Sequence, residues 1–92
     1  MKYKIKYTNR FKKDLKLLKK QGKDINKLFY IIEKIAKGET LEDKYKDHPL
    51  NGNYKKTREC HVESDLLLIY EKFEDILVLT LVRTGSHSDL FK

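Results

Sequence analysis

Residues 2–7 set Lys2, Lys4 and Lys6 against Tyr3, Ile5 and Tyr7 in strict alternation. That period of two predicts a half-exposed strand. Thr8 or Asn9 is placed to cap a helix after it. Phe11, Leu15 and Leu18 then fall at i, i+4 and i+7, with Leu17 widening the stripe and lysines covering the rest, until Gly22 ends the helix. Asp24 opens a second helix. Its apolar face is Ile25, Leu28, Phe29, Ile32, Ile35 and Ala36, and Gly38 terminates it. The short Gly22–Lys23 break predicts an antiparallel helix hairpin.

No periodicity survives from Glu39 to Tyr54. Pro49 and the Asn51–Gly52 pair mark this stretch as a long connection. Its apolar members, Leu41, Tyr45, Leu50 and Tyr54, predict that it packs down in an ordered form. Three strands are expected next: 56–62, which alternates; 66–71, an apolar run suited to a strand covered on both faces; and 76–83. Turns at Glu63–Asp65 and Phe73–Asp75 make antiparallel hairpins of them. The expected fold is α+β: an N-terminal strand, a helix hairpin and a three-strand meander, forming a small twisted sheet packed on the helices.

Composition narrows the class. A chain of 92 residues is expected to form one domain, 1–92, with a modest core. Cys60 is its lone cysteine, so no internal disulfide can form. The start of the chain lacks the apolar run of a signal peptide, and no stretch approaches the roughly 20 apolar residues that span a bilayer. A cytoplasmic location is expected, with no membrane partner. The net charge of +7 is unevenly spread: residues 1–34 carry +9 and residues 35–92 carry −2. Such a basic front suits a polyanionic partner, RNA, DNA or an acidic protein, and equally a merely solvated lysine face.

The later half holds all the histidines: His48 in the long connection, His61 late in the first meander strand, and His87 just past the last. Strand alternation puts Thr57, Glu59 and His61 on one face and Arg58, Cys60 and Val62 on the other. Glu59 and His61 are thus neighbours, with Asp65 at the turn beyond. Cys60 points away from His61 and reads as a small buried apolar residue. His61-Val62-Glu63 echoes half of a zinc deaminase signature, but neither Cys-x-x-Cys nor His-Glu-x-x-His occurs. A zinc site on His48, His61 and His87 has no motif behind it, and no metal or cofactor is expected. Histidine, carboxylate and arginine without a metal motif suit acid–base work on a phosphodiester that carries its own 2′-hydroxyl nucleophile. Arg83 can pair with a carboxylate or hold a phosphate. Phe91 can anchor the tail or stack on a base.

Three blocks carry a family resemblance. Residues 45–52 (Tyr-Lys-Asp-His-Pro-Leu-Asn-Gly), 58–65 (Arg-Glu-Cys-His-Val-Glu-Ser-Asp) and 83–91 (Arg-Thr-Gly-Ser-His-Ser-Asp-Leu-Phe) closely resemble the signature blocks of YafQ-type toxins in the RelE/ParE superfamily. These toxins are ribosome-dependent mRNA interferases of type II toxin–antitoxin pairs. The resemblance spans essentially the whole chain. It implies a small antiparallel sheet on two helices, and matches His48, His61, Asp65 and His87 to catalytic residues. Phe91 matches an aromatic near the mRNA, Arg83 an arginine of its block, and Glu59 a position where relatives carry aspartate. Ser64 and Leu66 stand where the family has proline and tryptophan. The implied partners are mRNA on the ribosome, ribosomal RNA and a cognate acidic antitoxin. Two other readings use the same features: a non-catalytic ParE-like toxin that inhibits DNA gyrase, and a plain basic nucleic-acid-binding module.

Overall fold

The computed structural model describes residues 1–91. Strand β1 (Lys4–Tyr7) leads into helix α1 (Asn9–Lys20) and helix α2 (Ile25–Ala36). Strands β2 (His48–Pro49), β3 (Arg58–Glu63), β4 (Leu66–Phe73) and β5 (Val78–Gly85) follow, and helix α3 (His87–Leu90) closes the chain. Thr8 caps α1 through a 2.9 Å bond from the Phe11 amide, and Asp24 caps α2 from the Asn26 amide at 3.0 Å. Both helices end the same way. Lys23 N reaches Leu18 O at 3.0 Å and Glu39 N reaches Lys34 O at 3.1 Å, over Gly22 and Gly38 in the left-handed region.

The sheet has five strands in the order β1-β5-β4-β3-β2, where four were expected. The extra one, β2, has two residues and lies inside the long connection, too short to leave a periodic signature. It pairs antiparallel with β3, bringing His48 opposite Glu59. β1 runs parallel to β5, with Lys4 beside Val78. Everything between them, both helices and the strands β2, β3 and β4, forms the long connection that parallel pairing needs. The other neighbours, β3–β4 and β4–β5, are antiparallel as expected.

The helices cover one face of the sheet. Phe11, Leu18, Leu28, Ile32 and Ile35 pack there against Cys60, Val62, Leu66, Leu68, Tyr70, Leu79 and Leu81. β4 is buried on its other face as well, where Leu67 and Ile69 lie under Leu90 of α3 with Leu50, Tyr54 and Val82 at the margin. The apolar run of β4 thus has the two-sided cover its sequence implied.

Three details differ from expectation. Leu17 is 45% exposed and Phe29 36% exposed, so neither belongs to the buried stripe. The stripe of α1 instead contains Asp14, buried with Phe11 and Leu18. β5 starts two residues later than the apolar run does. Ile76 and Leu77 form an exposed turn, and Leu77 has φ 51°.

Because Leu68 is fully buried and Leu17 is not, urea unfolding should separate them. Leu68→Ala is expected to cost about 2–5 kcal/mol, and Leu17→Ala less than about 0.5 kcal/mol.

Candidate active site

The face opposite the helices gathers the chemistry. Register places His48, Glu59 and Ile69 in one row across β2, β3 and β4. His61, Leu67 and Gly85 form the next row across β3, β4 and β5. A β-bulge follows His61, where Glu63 rather than Val62 pairs with Leu66. One carboxylate oxygen serves two imidazoles. Glu59 Oε1 lies 3.4 Å from His48 Nε2 and 3.5 Å from His61 Nε2. These contacts are ion pairs when the rings are protonated. The rings tilt at 45° with centroids 6.1 Å apart. Glu59 is buried, its side chain 6% exposed, whereas the His48 and His61 side chains are 44% and 32% exposed. Glu59 Oε2 is buried with no hydrogen-bond partner. The carboxylate is the fixed floor of the cluster and the imidazoles are its reachable edge.

His48 is oriented further. Its Nδ1 lies 2.6 Å from the Lys46 carbonyl. A carbonyl only accepts, so Nδ1 carries the hydrogen and the neutral ring keeps its lone pair on Nε2. Lys46 itself is left-handed, at φ 49° and ψ 44°.

The remaining candidates approach from the chain's end. Gly85 sits two strands from His61 in the same row, roughly 10 Å away at the usual strand spacing. Ser86 caps α3 through the Asp89 amide at 3.2 Å. Leu90 anchors α3 onto Leu67 and Ile69. A Cβ on Gly85 would meet Leu90 Cδ2 at 3.5 Å, and its φ of +153° disfavours other residues. His87 is exposed, with its ring 5.0 Å from that of Phe91. Phe91 in turn meets Tyr54 edge-on at 5.8 Å. Tyr54, Phe91, Leu90, Asn51 and Asn53 line an open cavity of about 390 Å³. Asp65 is exposed in the β3–β4 turn, two residues beyond the end of β3.

Of the two partners open to Arg83, the structure shows a carboxylate. Its Nε and one terminal nitrogen each donate to Asp14 at 2.9 Å, and the Thr84 amide joins them at 3.1 Å. The bond to Asp14 holds the guanidinium pKa above its ordinary value, outweighing the opposing effect of burial. The pair ties α1 to β5 just before α3 begins. The signal for Asp14 was present in the sequence: it is an acid on the apolar stripe, three residues after Phe11 and four before Leu18. Asp47 gave no such signal. Its Oδ1 accepts from Tyr70 at 2.8 Å and from Arg58 Nε at 3.1 Å.

The metal question also changes. Among the described residues, the group with ligand spacing is His48, Glu59 and His61, whose donor atoms lie within 4.8 Å of one another. It contains Glu59, and His87 is not part of it. Two imidazoles and a carboxylate suit a borderline divalent ion such as zinc or copper.

A histidine–carboxylate cluster on the open face of a small sheet, backed by two helices, defines a compact α+β protein with titratable side chains gathered at its surface. The chain belongs to the YafQ family of bacterial toxins of type II toxin–antitoxin systems, whose sequence model matches residues 3–92. It is 42% identical over 88 residues to the mRNA interferase toxin YafQ of Escherichia coli K12, covering 95% of this chain and 94% of the relative. Its fold matches a chain of the E. coli DinJ–YafQ toxin–antitoxin complex with a TM-score of 0.88 at 40% identity, over all of this chain and all of that one. A metal-bound toxin from Helicobacter pylori matches with a TM-score of 0.89 at 46% identity, over 97% of this chain and 99% of that one.

Cys60 lies on the helix side, fully buried. Burial first, then the charges of Asp47 and Glu59, push its thiol up to about 12. The folded thiol therefore stays protonated where an unfolded one, near 9.0, has ionised. Its contribution to stability is complete below that lower value and is lost as pH rises through the upper one. A thiol-specific disulfide reagent at pH 8 should find no reactive cysteine until the protein is denatured, and then one.

Proposed function

We propose that this chain is the toxin of a type II toxin–antitoxin pair, acting in the cytoplasm as a metal-independent endoribonuclease on mRNA held by the ribosome. The observation that carries the reading is the pair of reachable imidazoles on one buried carboxylate, on the sheet face that also bears His87 and Phe91. An E. coli YafQ that covers nearly the whole chain is an mRNA interferase toxin, and E. coli YafQ has been solved in a toxin–antitoxin complex with DinJ.

The chemistry follows from the donors. His48 Nε2 takes the proton of the 2′-hydroxyl, whose oxygen attacks the adjacent phosphorus in line. The 5′ oxygen leaves with a proton from His87 or Asp65. The products are a 2′,3′-cyclic phosphate and a 5′-hydroxyl. Protonated His61 faces the charge that grows on the phosphorane. Arg83, held by Asp14, braces the start of α3 and leaves the phosphate to His61. Phe91 and Tyr54 offer aromatic faces to a neighbouring base. The lysines of α1 and α2 present charge to ribosomal RNA or to an acidic antitoxin. No helix is long and apolar enough to cross a membrane among the described residues.

A reconstituted translation reaction with a defined mRNA tests this. Cuts that appear only with ribosomes, leaving 5′-hydroxyl ends, are expected. His87→Ala should lower the cleavage rate by about 10²–10⁴-fold while keeping its melting temperature and its antitoxin. A folded wild-type chain that never cuts would return the choice to gyrase inhibition or simple nucleic-acid binding.

A second reading uses the same atoms. The ligand spacing of His48, Glu59 and His61, and the metal-bound H. pylori relative, support a divalent ion there. Such an ion would supply Lewis-acid stabilisation of the phosphate, and it would occupy the lone pair His48 needs as a base. In the metal-independent reading, cleavage survives EDTA and falls on adding Zn²⁺, and more steeply with Cu²⁺. Loss of cleavage in EDTA, restored by Zn²⁺, would put the metal in the reaction.

A further inference from the structure

A two-residue strand is a weak support for a catalytic side chain. β2 has only His48 and Pro49 to pair with β3, and the segment before it turns through a left-handed Lys46. What fixes its position is the side chain next to His48. Asp47 Oδ1 accepts from the Tyr70 hydroxyl at 2.8 Å and from Arg58 Nε at 3.1 Å. A terminal nitrogen of Arg58 also reaches the Asp47 carbonyl at 3.4 Å. Residue 47 is therefore pinned to β4 by Tyr70 and to β3 by Arg58, one by its side chain alone and the other by side chain and backbone. Tyr70 is 1% exposed and belongs to the main core, so the pin is anchored in the packed interior. Neither Asp47 nor Tyr70 lies in the histidine cluster. The reach of the pin is through the backbone: it holds residue 47, whose neighbours supply both the imidazole and the Lys46 carbonyl that accepts from it at 2.6 Å.

We infer that Asp47, held by Tyr70 and Arg58, is a positioning residue for His48: it sets where the ring stands and which of its nitrogens carries the hydrogen. The inference rests on the proposed role of His48 as general base. The plainer alternative is that Asp47 merely gives a buried tyrosine its hydrogen-bond partner. The two differ in what happens when the tyrosine's need is removed. Tyr70→Phe leaves no unpaired hydroxyl, so a purely structural bond predicts undisturbed catalysis. A pin predicts a loss, because Asp47 is then tied on one side only.

The rate constants come from ribosome-programmed mRNA, with melting temperature and circular dichroism as checks on folding. Asp47→Ala should lower kcat about 10–100-fold, the effect of a displacement near 1 Å, with KM almost unchanged. Tyr70→Phe should lower kcat by less, again without moving KM. Asp47→Asn, whose amide oxygen still accepts from both donors, should restore kcat to near the wild-type level. The second readout needs no activity. A long-range proton–nitrogen correlation spectrum of the histidine rings should show neutral His48 with its hydrogen on Nδ1 in the wild type and in Asp47→Asn. In Asp47→Ala it should shift toward the Nε2–H form that a free imidazole side chain favours. An unchanged His48 signature in a folded Asp47→Ala protein would overturn the inference, even if kcat fell. A shifted signature in a protein whose wild type cuts no RNA would uphold the positioning and remove only the proposed reaction.

Discussion

A central strand that is apolar on both sides must be covered on both sides, and the architecture follows from that. Leu66, Leu68 and Tyr70 face the helices, while Leu67 and Ile69 face the other way. Leaving either set in water would forfeit roughly 2 kcal/mol for each large side chain. The helix hairpin satisfies one face. The other has no helix of comparable length to offer, so it is closed by the short α3 and by the connection around Leu50 and Tyr54. The cover of that face is partial and made of loop-like segments. Reactive side chains can therefore stand at its edge with a buried floor beneath them. The histidine cluster and the His87–Phe91 end of the chain share this face because both border the same small apolar patch.

Three carboxylates organise what the apolar packing leaves loose, each in a different way. Asp14 joins helix to sheet through Arg83, with two 2.9 Å bonds and the Thr84 amide as a third donor. Buried, bidentate and fully satisfied, that pair is mechanical. Asp47 gathers donors from two strands onto one turn. There burial opposes the charge of Arg58, and the carboxylate more than offsets it. Glu59 is unlike the other two. It is buried with one oxygen between two imidazoles and the other without a partner. An unsatisfied buried oxygen is costly and uncommon in folded proteins. The chain thus invests its one unsatisfied buried carboxylate, among the described residues, at the point where chemistry is proposed.

The site's outline was legible in advance because strand alternation is a strict rule. Period two placed Glu59 beside His61 and turned Cys60 away, and the structure has both. Asp65 at a turn and His87 just past the last strand were equally fixed by position along the chain. The resemblance of the three sequence blocks supplied what periodicity could not, the association of His48 with residues far from it in sequence. Expectation departed from structure where the local rule was weak. Leu17 and Phe29 are apolar residues at the margin of a helix stripe, where neighbouring elements decide exposure. Ile76 and Leu77 extend an apolar run into a turn, since a run of apolar residues marks a strand's presence more sharply than its first residue.

The amino-acid sequence by itself determined the order of β1, α1, α2, β3, β4 and β5, the two-sided burial of β4, the faces of Glu59, His61 and Cys60, and the concentration of positive charge in the first third of the chain. All of these follow from interactions between residues close in sequence, or from the transfer of apolar surface out of water. The tertiary structure alone decided that β1 pairs parallel to β5, that His48 forms a two-residue strand against Glu59, and that Arg83 serves Asp14. It also decided that Asp47 joins Tyr70 across 23 positions. Hydrogen bonds and ion pairs of that kind depend on distances set only when the whole sheet has assembled, and no period along the chain encodes them.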